Sequence, residues 1–219
     1  MFIALSPHDG EGAQPTGASS TAPRLRIHGF GDPRRTDVED FIRDVFARRY
    51  GADVQKFSPV LVSLQDRGQI VAAAGYRNAA DSPLFLERYL PLPVDAMLAS
   101  QTESPAERHS IVEVGHLAAN RAGEGRHLIA LIGPHLAAQG FVWVVGTITR
   151  ELRHLFMRIG IAPLALGVAD PAALGPEVVH WGSYYDHNPV VLAGNLHQAL
   201  RRQVREAPTL PKADQCTRI

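Results

Sequence analysis

The sequence predicts an α/β (α+β) domain whose sheet is partly antiparallel and partly parallel. Three observations predict it. Residues 111–145 read as strand, glycine-rich turn, helix and second strand in about thirty residues, the size of one βαβ unit. Two β-rich runs, 60–64 and 70–76, flank the polar turn 65–69 and read as an antiparallel hairpin. The remaining periodic segments alternate in type along the chain, as a layered mixed fold requires.

Taken in order, 6–23 is rich in Ser, Gly, Pro, Thr and Ala, and 1–23 is expected to be a disordered leader. A first strand is expected over 25–28. Thr36 or Asp37 is placed to N-cap a helix, with Glu39 and Asp40 in its first turn. Phe41, Ile42, Val45 and Phe46 form its apolar stripe, Arg48 and Arg49 suit its C-terminal dipole, and Gly51 ends it. After the hairpin, 84–90 and 94–99 read as short helices broken by Pro91 and Pro93, and 100–107 as a mobile loop. A strand opens at Ile111, a turn is expected at Gly123-Glu124-Gly125, and a helix over 126–139 ends at Gly140. A strand follows from Phe141. A helix over 150–160 closes on Gly160. Strands are expected over 165–168, 178–185 and 190–194, then an amphipathic helix over 195–204. The domain is expected to span 24–205 as a single unit, with 206–219 a flexible tail.

Composition removes several classes. Among 219 residues, Lys+Arg and Asp+Glu both number 22, so there is no overall basic charge to attract nucleic acid or an anionic membrane. The single cysteine, Cys216, permits no intrachain disulfide, which suits a reducing compartment. The N-terminus lacks the charged start and apolar run of a secretory signal, and no stretch approaches the ~20 apolar residues of a membrane span. A cytoplasmic protein is expected. The ten histidines have no metal-ligand spacing, so no metal is expected. No Gly-x-Ser-x-Gly elbow, Walker loop or dinucleotide fingerprint occurs.

The chemistry concentrates in 111–126. A strand, a Gly-x-Gly turn and a helix N-terminus make an anion site, because the first amides of a helix lack internal partners and the dipole adds positive charge. The candidate binding set is Asn120, Arg121, Gly123, Glu124, Gly125 and Arg126. An ordinary strand-to-helix turn would read the same way. Glu113, flanked by valines, is a candidate general base if it faces a cleft, since burial would raise its pKa; on the wet face it would be inert. Gly115 is placed to allow a bulge. His116 is a second candidate base or proton relay. In the run 181–186, Tyr184 or Tyr185 is a candidate general acid, or both are strand aromatics. Arg77, Arg88 and Tyr185 are candidates for the acceptor or acyl side, although Arg88 could equally pair with a surface carboxylate.

Asn120-Arg-Ala-Gly-Glu-Gly125 resembles the Gln/Arg-x-x-Gly-x-Gly/Ala motif of GNAT N-acyltransferases, with Asn in the first place. Leu155-Phe-Met-Arg-Ile-Gly-Ile resembles the same family's Leu-Tyr-x-x-Leu-Gly-Phe, with Phe156 where a general-acid tyrosine is frequent. More specifically, Ala74-Gly-Tyr-Arg, Leu84-Phe-Leu-Glu-Arg-Tyr-Leu, Ile111-Val-Glu-Val-Gly-His-Leu-Ala, Gly140-Phe-Val-Trp-Val-Val and Trp181-Gly-Ser-Tyr-Tyr-Asp are similar to the thermostable hemolysin family of bacteria. That resemblance implies a GNAT-like mixed sheet with a splayed parallel pair of central strands and helices on both faces, resembling also the acyl-homoserine-lactone synthases. It implies acyl-CoA or acyl carrier protein as co-substrate, a small-molecule amine as acceptor, and Glu113 beside the transfer site. The alternatives are a membrane-active toxin, as the family name implies, and a degenerate acyl-thioester-binding protein.

Overall fold

The computed structural model describes residues 22–102, 106–158 and 163–206. Residues 1–21 of the expected leader (1–23), part of the 100–107 loop, the closing Gly160 and the tail beyond 206 lie outside the described residues. Seven strands form one sheet in the order β1-β2-β3-β4-β5-β7-β6. They are β1 (Arg24–His28), β2 (Val60–Asp66), β3 (Gln69–Asn78), β4 (Ile111–Ala119), β5 (Trp143–Ile148), β6 (Leu164–Val168) and β7 (Val190–Asn195). The helices are α1 (Arg35–Tyr50), α2 (Val94–Gln101), α3 (Ala122–Ala138), α4 (Arg150–Arg158) and α5 (Leu196–Glu206). Among the described residues only β4 and β5 pair in parallel, and α3 supplies the crossover that parallel neighbours need.

Side-chain alternation assigns the faces. Leu61 and Ala73 pack with Val38, Ile42 and Phe46 of α1. Their neighbours Val62, Ala72 and Ala74 pack on the other face with Leu128, Ile132 and Leu136 of α3 and Leu196 of α5. A third cluster continues the α1 side, where Ile111 and Val145 meet Leu86, Val94 and Leu98. The β2–β3 hairpin turns on Arg67 and Gly68, both at positive φ (48° and 80°), the two-residue geometry whose twist matches the strands.

Several local expectations change. The N-cap of α1 is Arg34 rather than Thr36 or Asp37, and Asp32 Oδ1 accepts the Arg34 amide at 2.7 Å. The short helix expected over 84–90 is a 3-10 helix, Phe85–Tyr89. The α3 helix starts at Ala122, four residues earlier than expected, so Gly123, Glu124 and Gly125 occupy its first turn. The Glu124 carboxylate accepts the Arg121 amide at 2.8 Å, which fixes that start despite the glycines. The expected strand over 178–185 is absent: Pro171–Trp181 and Tyr184–His187 are 3-10 turns. Gly175 (φ 55°) and Gly182 (φ 51°) break the extended path, and the segment instead clips onto the end of α1. There Tyr50 O accepts the Ser183 amide (2.8 Å) and His180 O accepts the Asp53 amide (2.7 Å).

Candidate functional site

The site begins where β4 and β5 stop pairing. They are in register only at Ile111↔Trp143, Val112↔Val144 and Glu113↔Val145. Beyond that point β4 continues with β3 and β5 with β7, and the edges that faced each other are no longer paired. A bulge in β4 marks the parting. Gly75 opposes Gly115 and Ala73 opposes Ala118, so Ala74 faces two residues, His116 and Leu117. The residue that takes the unusual backbone is His116 (φ 54°) rather than Gly115. A positive φ on a side-chain-bearing residue costs ~1–2 kcal/mol, and such strain clusters at functional sites.

A cavity of about 670 Å³ fills this splay. It reaches both faces of the sheet: Phe46 and Tyr50 of α1 line it on one side, Ile129, Ile132 and Leu200 on the other. His116, Asn120, Arg121, Gly125, Arg126 and Tyr184 all contribute to its wall. Glu113, Arg77, Arg88, Tyr185, Gly123 and Glu124 are not among its lining residues.

His116 Nδ1 is enclosed and has no hydrogen-bond partner, and its ring lies 5.6 Å from that of Phe57 and 6.4 Å from that of Phe46. Burial, with the Arg77 charge adding to it, lowers its pKa to about 4, so the imidazole is neutral at pH 7. Thr147 Oγ1, on the opposing strand β5, is a second enclosed atom without a partner. Tyr184 is buried against Phe46 and Tyr50, its hydroxyl donates to Thr147 O at 3.0 Å, and burial raises its pKa so that it keeps its proton.

Glu113 is buried too, but its oxygens are already engaged. Oε2 accepts the Phe85 amide and Oε1 the Leu86 amide, each at 3.0 Å. The Arg77 guanidinium, directly across from it on β3, lies 3.3 Å away as an ion pair without hydrogen-bond geometry. Burial raises the Glu113 pKa; Arg77 and the two amides oppose that rise. Arg88 binds Glu177 at 2.6 Å, and the Tyr185 and Tyr89 hydroxyls share a 2.5 Å hydrogen bond.

Arginines without a carboxylate partner also occur elsewhere on the described surface (Arg24, Arg26, Arg67, Arg150, Arg153 and Arg201), but five gather around this cavity. Arg34, Arg35, Arg43, Arg77, Arg88 and Arg108 each pair with a carboxylate, and none of them lines the cavity. Arg48, Arg49, Arg121, Arg126 and Arg158 do line it, and among the described residues no carboxylate pairs with them. Arg48 Nη2 also donates to Asn120 Oδ1 at 3.3 Å, which ties the end of α1 to the start of α3. Sequence reasoning assigned Arg48 and Arg49 only to the helix dipole and did not single out Thr147. Their approach to the 120–126 segment arises from tertiary packing, and no local signal marks it.

A mixed sheet that parts at a bulge in front of a helix N-terminus is the GNAT-like fold class. Known structures share it. TofI in its apo form aligns at TM-score 0.57 and 17% identity over 83% of this chain and 96% of its own. FeeM, an N-acyl amino acid synthase from uncultured soil microbes, aligns at 0.55 and 13% over 85% and 97%. BjaI, a CoA-dependent acyl-homoserine lactone synthase seen with SAM and isopentyl-CoA, aligns at 0.57 and 14% over 84% and 89%. Residues 29–200 match the thermostable hemolysin family model, and the chain belongs to that family. No curated protein sequence matches it. Among the described residues, no helix is long and apolar enough to cross a membrane.

Proposed function

We propose that the protein is a cytoplasmic N-acyltransferase that moves an acyl group from a phosphate-bearing thioester, acyl-CoA or acyl carrier protein, to a small-molecule amine. One observation carries this reading: the cavity in the β4–β5 splay is rimmed by arginines that lack carboxylate partners. Phosphates would supply the missing charge, held by Arg121 and Arg126 at the start of α3. The unpaired edges of β4 and β5 offer amides and carbonyls to an extended amide-bearing arm and to the oxygen of the reacting carbonyl.

In the transfer, the amine nitrogen bonds to the thioester carbonyl carbon, the C–S bond breaks, and the sulfur leaves as thiol after gaining a proton. The attacking nitrogen loses a proton. His116 lines the cavity and is neutral, which makes it a better candidate to accept that proton than Glu113, which does not line the cavity and whose oxygens already receive two amides. Tyr184, which lines the same cavity, is the candidate donor to sulfur. Arg77 and Glu113 support the wall behind β4 in this account.

The test is binding and turnover in parallel. Calorimetry with CoA thioesters should show saturable binding, and Arg121→Ala with Arg126→Ala should weaken it about 10- to 100-fold, with a smaller salt dependence. Free-thiol release with a panel of amines reports transfer. If neither CoA thioesters nor an acylated carrier protein bind, the proposal fails; leakage of liposomes without any thioester would favour the toxin reading instead.

A further inference from the structure

The part of the cavity on the α3–α5 side differs in chemistry from the rest. Its wall is Ile129, Ile132 and Leu136 from α3 with Leu196, Ala199 and Leu200 from α5. No polar side chain in that group could hold a charged or hydrogen-bonding ligand. The residues 129, 132 and 136 fall on one helical stripe, and so do 196, 199 and 200, so both helices turn an apolar face to the same space. Gly133 lies in the interior of α3, and a Cβ there would come no nearer than 3.7 Å to Leu200 Cδ2. Its neighbour Pro134 also favours a residue without a Cβ, but no steric demand of that kind applies to Ala199.

The helix α4 supplies an independent observation. Leu152, Leu155 and Phe156 give it an apolar stripe, and that stripe lines the same cavity. Yet among the described residues α4 alone of the five α-helices has no buried side chain. A nine-residue helix is marginal in water and depends on packing of its apolar face. This one packs over a void.

We propose that the occupant of this limb is the alkyl chain of a medium- or long-chain acyl group, which runs between α3 and α5 and completes the burial of α4. The inference rests on the acyl-thioester reading of the same cavity and names its substrate class. The arginine rim holds the phosphates and the splay holds the reacting carbonyl. The chain then passes through the sheet into the apolar limb. The alkyl chain of the acyl group has no polar atoms, which matches this wall. Ala199 limits its length from the α5 side.

The experiment is a calorimetric series on the intact protein with CoA, acetyl-CoA, butyryl-CoA, octanoyl-CoA and decanoyl-CoA, repeated with Ala199→Phe and Ala199→Leu. Hydrogen exchange at α4 is followed for each ligand. Each methylene that enters the limb should tighten binding about fourfold, until the limb is full. Decanoyl-CoA should protect the α4 amides, and CoA and acetyl-CoA should not. The Ala199 variants should weaken decanoyl-CoA at least about tenfold and leave CoA and acetyl-CoA unchanged. The wild-type series and exchange data stand even if a variant fails to fold. Equal affinity for acetyl and decanoyl esters, or α4 protection by CoA alone, overturns this inference and leaves the donor reading intact. Decanoyl groups delivered on CoA and on a carrier protein form the last arm: absence of binding in both overturns the donor reading itself.

Discussion

Replacing Glu113 by glutamine separates support from catalysis. The carboxylate is 6% exposed and accepts two backbone amides at 3.0 Å from the start of the Phe85–Tyr89 turn. Glutamine keeps one acceptor oxygen, but its NH2 group must face the other amide, so a buried N–H loses its partner. The nearby Arg77, 22% exposed, also loses its counter-charge. An unsatisfied buried donor costs ~1–3 kcal/mol, and breaking a buried ion pair ~3–5 kcal/mol. Because Arg77 retains some water, about 3 kcal/mol in total is the expected loss. For a domain of this size that corresponds to a Tm lower by roughly 6–12 °C in a thermal melt. The pH dependence gives a second readout. A carboxyl whose folded pKa is raised contributes stability that is present at low pH and is lost as pH rises from the ordinary 4.5 through the raised value. Glu113→Gln should remove that slope. A variant that melts within about 2 °C of wild type would refute the reasoning. If that same variant had lost acyl transfer, Glu113 would be the base.

Other perturbations follow from single contacts. For His116, whose pKa falls to about 4 from 6.5, the sign is reversed: the unfolded chain binds more protons between those values, so stability rises with pH across that window. His116→Gln should flatten the rise in urea titrations between pH 4 and 7, and NMR of the wild-type imidazole should show no titration near 6.5. Gly182→Ala should be severely destabilising, since its Cβ would fall on Tyr50 O at a φ of 51°. A loss of several kcal/mol is expected in denaturant melts, and a neutral outcome would mean the 171–187 segment does not clip to α1 as described.

Much of the fold is legible in residue pattern because the pattern has a local cause. The hairpin is announced by Arg67-Gly68 between two β-rich runs, and the parallel pair by strand, helix and strand in close order. The misread segments are those where local propensity loses. Val178 and Val179 favour extended backbone, yet Val179 is 73% exposed, and glycines on either side at positive φ turn the chain into 3-10 geometry. Gly123 and Gly125 look like a turn, but the Glu124 cap draws them into α3. The site was only partly legible for a different reason. Asn120, Arg121 and Arg126 sit in a local motif. Arg48 and Arg158 resemble every other surface arginine until the fold shows which arginines line the cavity.

The bulge at His116 also changes how β4 counts. Before it, odd-numbered residues such as Ile111 and Glu113 face the α1 side and Val112 and Val114 face α3. After it the parity is reversed: Ala118 lies with α1, and Leu117 and Ala119 pack with α3. The extra residue acts as a phase shift between two half-strands, each of which is correct only because the other is offset. For the register of the sheet, the identity of its side chain does not matter, but its presence in the chain does. Removing one residue at 116 would invert one half of the strand, expelling either Leu117 and Ala119 or Val112 and Val114 from the α3 core.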